Sequence, residues 1–132
     1  MAHRITWIDE PWIVQVTFEG LLTSEDIEAV IEVCLPQAES HPINFLFDLT
    51  QAYAIEPGVM RSKSMRQLMT HPNSKWFAIT GVEGLRGFGD QVFMRFTSFK
   101  IFPALDEARI FLRETVERQK SSVRILEGQH SV

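Results

Sequence analysis

Apolar and polar residues alternate at the start of the chain. Ile13, Val14 and Val16 are apolar with Gln15 and Thr17 between them. This period of two predicts a half-buried strand over Trp12–Phe18, and Ile5–Ile8 reads as a second strand just before it. Asp9-Glu10-Pro11 is the turn between them, with the proline ring pre-setting φ. Strands joined so tightly are antiparallel. Gly20 is expected to end the second strand. The period then changes. Ile27, Val30, Ile31 and Cys34 recur at i, i+3, i+4 and i+7, one apolar face of a helix. Thr23, with Asp26 three positions on, resembles a capping box. Glu25 and Asp26 suit the positive end of the helix dipole. Pro36 is expected to end or kink this helix.

Asn44–Leu49 is a short, nearly continuous apolar run, as in a strand covered on both faces. Its Asp48 is expected at the strand's carboxyl end, where open α/β sheets place their sites. Pro57 is placed in the first turn of a helix that runs to about Met69 and stops before His71-Pro72. Lys75–Val82 reads as another buried strand. Glycines 81, 84, 87 and 89 follow, then a helix over about Asp90–Phe99 and a brief strand at Lys100–Phe102. A last helix is expected over Pro103–Gln119. Residues 120–132 carry no strong pattern and read as a frayed tail, with Val123–Leu126 as an alternative edge strand. The order β-β-α-β-α-β-α-β-α predicts an α/β fold. Its mixed sheet has about five strands, an opening antiparallel hairpin and then βαβ units, with about four helices. Residues 1–119 form one domain in this reading, since no repeat or linker interrupts them.

Composition narrows the function classes. The chain has 132 residues, 45% of them hydrophobic, which is enough for a core and too many for disorder. Its net charge of −4 argues against a nucleic-acid partner, which calls for a basic excess. Arg61, Lys63 and Arg66 read as a solvated helix face. The single cysteine, Cys34, falls on an apolar helix face, so a core role is expected rather than a nucleophilic one. With no partner cysteine it fits a reducing compartment. Neither a signal-peptide pattern nor an apolar run near the ~20 residues of a membrane span is present. The expectation is a cytoplasmic protein without stable membrane anchoring.

Catalytic chemistry is hard to find. The four histidines (3, 41, 71 and 130) are not at metal-ligand spacing with other ligands, so no metal site is expected. No G-x-S-x-G or Ser/His/Asp cluster appears. Asp48, Glu56 and Asp90 could share one sheet edge and do acid–base work. The plainer reading is that Asp48 ties down a loop through backbone hydrogen bonds. Gly84, Arg86 and Gly87 lie in a glycine-rich segment between a strand and a helix, the layout of an anion cradle, but the segment matches no phosphate-loop motif and Glu83 opposes an anion. Phe88, Val92, Phe93, Phe96 and Phe99 make an aromatic stripe on the helix at 88–99. It reads either as core or as a lid over an apolar small molecule, hinged at the glycines and lined further by Met60, Met65, Met69 and Met94. Trp7, Trp12 and Trp76 are hard to satisfy together in a small core, and a tryptophan left on an edge strand fits a homodimer contact. No enzyme activity and no cofactor are expected.

Three stretches together resemble the SpoIIAA-like (STAS-related) superfamily of bacterial proteins. Phe18-Glu19-Gly20-Leu21-Leu22-Thr23-Ser24-Glu25-Asp26 is similar to its strand–Gly–Leu–Thr–acidic approach to the first helix. Phe45–Thr50 is similar to its central strand, and Phe102-Pro103-Ala104-Leu105-Asp106-Glu107-Ala108 with Leu112 to its closing helix. The resemblance spans about residues 5 to 115 and points to the stand-alone branch. It implies a regulatory or protein-interaction module that docks through Asp48, Tyr53, Glu56, Pro57 and Gly58. Relatives that antagonise anti-sigma factors carry a phosphorylatable serine at the start of the second helix. Pro57 stands about there and has no hydroxyl, while Ser62 and Ser64 lie farther along. The resemblance therefore implies a module without that switch. The fold is shared with lipid-transfer domains of the CRAL-TRIO type, which implies a lipid or other apolar small molecule as the alternative ligand.

Overall fold

The computed structural model describes residues 3–59, 62–83 and 98–130. Strands β1 (His3–Asp9) and β2 (Ile13–Leu22) form the expected antiparallel hairpin. Strands β3 (Ile43–Ile55), β4 (Ser74–Thr80) and β5 (Ser98–Phe102) add to it in chain order, each parallel to its neighbour. Helix α1 (Ser24–Ser40) links β2 to β3, α2 (Lys63–Thr70) links β3 to β4, and α3 (Leu105–His130) follows β5. The result is a five-stranded mixed sheet between two helical layers, with three helices among the described residues.

The alternation within each strand divides its side chains between two cores. Val14, Val16 and Phe18 of β2, Phe45 and Phe47 of β3, and Phe77 and Ile79 of β4 face α1 and α2. They meet Ile27, Val30, Ile31 and Cys34 of α1, and Met65, Leu68 and Met69 of α2. The Phe45 and Phe77 rings stack at 4.5 Å with an 8° tilt, and Phe18 meets Phe47 edge-on at 5.9 Å. The intervening residues Ile13, Leu46 and Ala78 face α3, where Ala108, Leu112 and Val116 cover them. β3 is therefore covered on both faces, as its apolar run implied. Fully burying one such side chain contributes roughly 1.5–3 kcal/mol, so these two layers hold the sheet's position.

Several boundaries differ from the sequence reading, each for a tertiary reason. β2 does not end at Gly20. It runs on to Leu22 because β3 runs alongside it, pairing Glu19 with Gln51 and Leu22 with Ile55 through two register shifts. β3 accordingly continues past Asp48 to Ile55. α1 passes through Pro36 to Ser40, where the buried Ala38 anchors it and Asn73 Nδ2 donates to the Ala38 carbonyl at 2.8 Å. α2 begins at Lys63 rather than at Pro57. Pro57 and Gly58 form a turn, with Gly58 at φ +80°, and Ser62 caps the helix by accepting from the Met65 N–H at 3.1 Å. Ser62 is thus the cap of α2 and not a residue farther along it. α3 continues beyond Gln119 to His130, so residues 120–130 are helix and neither a frayed tail nor an edge strand. At the start of that continuation Lys120 pairs with Asp9 at 3.2 Å and lies over the Trp12 ring. The helix expected over residues 90–99 lies outside the described residues up to 97. Ser98 and Phe99 belong to β5, where pairing with Trp76 and Phe77 decides their conformation.

Candidate functional site

The carboxyl end of the parallel strands is uneven. β4 ends at Thr80, opposite Asp48, whereas β2 and β3 continue together as a ribbon to Leu22 and Ile55. Along the ribbon, Tyr53 is 61% exposed and Leu21 is 39% exposed. The Tyr53 ring lies against Gly20, at φ +71°, where a β-carbon would sit 3.7 Å from Cε1. Beyond the ribbon, Glu56 turns back over the start of α1. Its N–H donates to the Leu22 carbonyl at 2.9 Å, and its Oε1 accepts from the Ser24 hydroxyl at 3.0 Å. Pro57 and Gly58 are exposed beside it. Four of the five residues expected to dock a partner, Tyr53, Glu56, Pro57 and Gly58, therefore lie at or just beyond the end of the β2–β3 ribbon.

Asp48 does not join them. It is buried on the α3 side of the sheet, in register with Thr17 on β2 and Thr80 on β4. Its Oδ1 accepts from the Thr50 N–H at 3.1 Å and from the Thr50 hydroxyl at 2.7 Å. This is the loop-fixing role of a strand Asp, applied here to the irregular stretch where β3 changes register. Next in the polar row, Gln15 donates to the Thr17 hydroxyl and accepts two hydrogen bonds from the Arg109 guanidinium, at 2.9 and 3.2 Å. The Thr80 hydroxyl is fully buried and has no hydrogen-bond partner among the described residues. Asp48 and Glu56 thus hold separate partners, and Asp90, the third carboxylate considered, lies outside the described residues.

Gly81 closes the row. It follows β4 with φ +84°, and a β-carbon there would press into the Leu49–Thr50 peptide, within 2.6 Å of the Leu49 carbonyl carbon. Only glycine lets the β4 backbone come this close to β3. The approach opens a cleft of about 420 Å³ lined by Thr50, Gly81, Val82, Glu83, Ile101, Phe102 and Pro103. Neither Thr50 nor the Gly81 contact was picked out from sequence. The available signal was a glycine directly after an apolar strand. On the opposite face, Phe18, Leu22, Ile27, Phe47, Leu49, Ile55 and Ile79 enclose an apolar void of only about 10 Å³. That is scarcely room for one water.

Of the residues assigned to an apolar lid, Phe99 is half-buried on β5 and packs against the larger core. Phe88, Val92, Phe93 and Phe96 lie outside the described residues, as do Gly84, Arg86 and Gly87 of the candidate anion cradle. Burial pushes the Cys34 thiol up to about 12, so it is a protonated core residue at neutral pH. The α1 capping box forms as expected. Thr23 N–H and hydroxyl donate to Asp26 Oδ2 at 3.1 and 2.9 Å, and His3 Nδ1 lies 3.0 Å from Oδ1. Burial alone would raise the Asp26 carboxyl. The hydrogen bonds from His3 and Thr23 and the His3 charge outweigh it and hold the group below its ordinary value. Among the described residues no three potential metal ligands cluster, and no helix is long and apolar enough to cross a membrane.

No family model matches this chain, and no curated protein matches it. Among solved structures, the chain is similar to an uncharacterised protein of the DUF3478 family with a SpoIIAA-like fold from Shewanella loihica PV-4. The two share 21% identity over 84% of this chain and 92% of the other, with a TM-score of 0.55. The hairpin, the parallel strands in chain order and the helices on both faces are thus the SpoIIAA-like fold.

Proposed function

We propose that this protein is a non-enzymatic interaction module that docks a protein partner through the end of the β2–β3 ribbon. One observation carries the reading: Tyr53, 61% exposed, stands on a ribbon that outruns β4. A large amphipathic ring on a rigid support is the side chain most often found anchoring an interface. Leu21 supplies adjacent apolar area, and Glu56 with Pro57 and Gly58 supplies a polar rim. Asp48 and Glu56 are engaged in fixing the backbone and a helix start, which supports docking over catalysis by this pair.

The test is affinity capture from the native host with the wild type and with Tyr53→Ala. The expected result is a partner retained by the wild type and lost with the variant, whose circular dichroism and melting are unchanged. Equal recovery by both would overturn the assignment of the ribbon.

A second reading has its own support. The cleft of about 420 Å³ beside Gly81 has apolar walls in Val82, Ile101, Phe102 and Pro103. Its volume lies within the ~300–1,000 Å³ of small-molecule sites. A lipid or other apolar small molecule would sit here rather than in the void beneath α1. Native mass spectrometry of freshly purified protein should then show an added mass that Ile101→Asp abolishes. Bare protein in both cases would remove this reading.

A further inference from the structure

We propose that the free edge of β1 pairs with β1 of a second copy, antiparallel about a two-fold axis at Thr6, making one continuous ten-stranded sheet. Among the described residues β1 is the terminal strand of the sheet, bonded to β2 on one side only. Seven residues long and without proline, it lacks two devices that usually blunt an exposed edge, and its one bulge, between Trp7 and Asp9, leaves His3–Trp7 regular. Its side chains suit a copy of itself. Ile5 and Trp7 are only half-buried, at the rim of the larger core. With Thr6 opposite Thr6 across the axis, Ile5 of each copy faces Trp7 of the other, a β-branched–aromatic pair formed twice on the α1 side.

Charge selects the same arrangement. The strand begins with His3 and Arg4 and ends at Asp9, with Glu10 next in the turn, so antiparallel pairing brings basic ends to acidic ends. Arg4 and Glu10 are both exposed, and neither has an ion-pair partner among the described residues. In this register they become diagonal neighbours across the interface, twice over. A parallel pairing would put Arg4 beside Arg4 and Glu10 beside Glu10. The interface is isologous and closes, as the commonest soluble oligomers do. It also lies along the sheet's free rim and leaves the Tyr53 surface open, so it does not depend on the docking role proposed above.

Two measurements on the full chain test this. Light scattering with size-exclusion chromatography should give twice the 15.2 kDa chain mass. Arg4→Glu should weaken the dimer by about tenfold, and adding Glu10→Arg should restore it. For geometry, Thr6→Cys places two thiols opposite each other, within the ~4.4–6.8 Å Cα separation a disulfide accepts. Mild oxidation should cross-link it to a dimer, whereas Arg4→Cys, which faces Ile8, should stay uncrosslinked. Native Cys34 does not interfere, being fully buried. A chain that is monomeric at all concentrations, or a dimer indifferent to the charge reversal, or equal cross-linking at both cysteines, would overturn the proposal.

Discussion

The two ends of the parallel strands are built on different rules. At the amino end, Asn44 is fully buried and every polar atom of its side chain is used. Its Nδ2 donates to the Trp12 carbonyl at 3.1 Å and to Gln119 Oε1 at 2.9 Å. Its Oδ1 accepts from Gln119 Nε2 and from the Trp76 N–H, both at 3.2 Å. One side chain thus fastens β2, β3, β4 and α3 together, and Lys120 with Asp9 and Trp12 closes the surface outside it. At the carboxyl end the row Thr17, Asp48 and Thr80 leaves a buried hydroxyl without a partner among the described residues, β4 stops early, and a cleft and an exposed tyrosine remain. Ser74 Oγ at the amino end likewise has no partner among the described residues, but it sits at the strand's first residue and outside the Asn44 network. Saturated polar networks fix a unique arrangement. Groups left unsatisfied, together with surface left open, are where a fold keeps room for binding.

Four substitutions and one control would break or sharpen this contrast. Gly81→Ala should have the largest effect, a loss of about 3 kcal/mol or more, because it adds a backbone collision to the strain of positive φ. Gly58→Ala is its control. It shares the positive φ, meets nothing within 4 Å, and should cost only ~1–2 kcal/mol. Urea unfolding of the pair separates collision from strain, and equal losses would mean the close approach to Leu49–Thr50 is unimportant. Next comes Asn44→Ala, which strips partners from the Trp76 N–H and Gln119 and should cost ~2–3 kcal/mol by the same measurement. A loss below that of an ordinary surface substitution would remove the idea that the amino end is held by its polar network.

The third substitution is smaller and depends on pH. Asp26 titrates below its ordinary value in the folded protein, so its stabilising contribution is complete above the unfolded-state pKa of ~4 and fades as pH falls through the folded value. Asp26→Ala should cost about 1 kcal/mol at neutral pH, the worth of a helix cap, and the gap to wild type should narrow in acid. A gap independent of pH would refute the ionic role of the carboxylate. Smallest, and opposite in sign, is Thr80→Val. It removes a buried unpartnered hydroxyl while keeping its shape, and should stabilise by up to ~1 kcal/mol. Destabilisation would show that the hydroxyl has a partner in solution, which would draw attention to the cleft side of the row.

Local signals in the chain carried much of this architecture. The opening hairpin, the both-faces burial of Phe45–Phe47 and the Thr23–Asp26 capping box were all legible, because each depends on periodicity or on neighbours within four residues. Asp48 was placed on the right strand, and its loop-fixing role followed from its residue type, yet its depth beneath the surface did not. Thr50-Gln51-Ala52-Tyr53-Ala54 has no strand pattern of its own, so the extension of β3 could not be read from it. That stretch is strand because Glu19–Leu22 lies beside it. Pro57 pointed to a helix start, but the turn at Gly58 and the Ser62 cap moved that start to Lys63. At the start of the continuation of α3 past Gln119, Lys120 likewise meets a residue 111 positions away in the chain, Asp9.

The amino-acid sequence by itself determined the strands, the helical faces and the order in which they must layer, since periodic burial and local capping act over a few residues. Only the tertiary structure decided which end of the sheet is sealed and which is open. That outcome depends on contacts between residues far apart in the chain: Gly81 against Leu49–Thr50, Asn44 against Gln119, and Gly20 beneath Tyr53. Such contacts exist only once the layers have closed, and no local pattern encodes the distance between them.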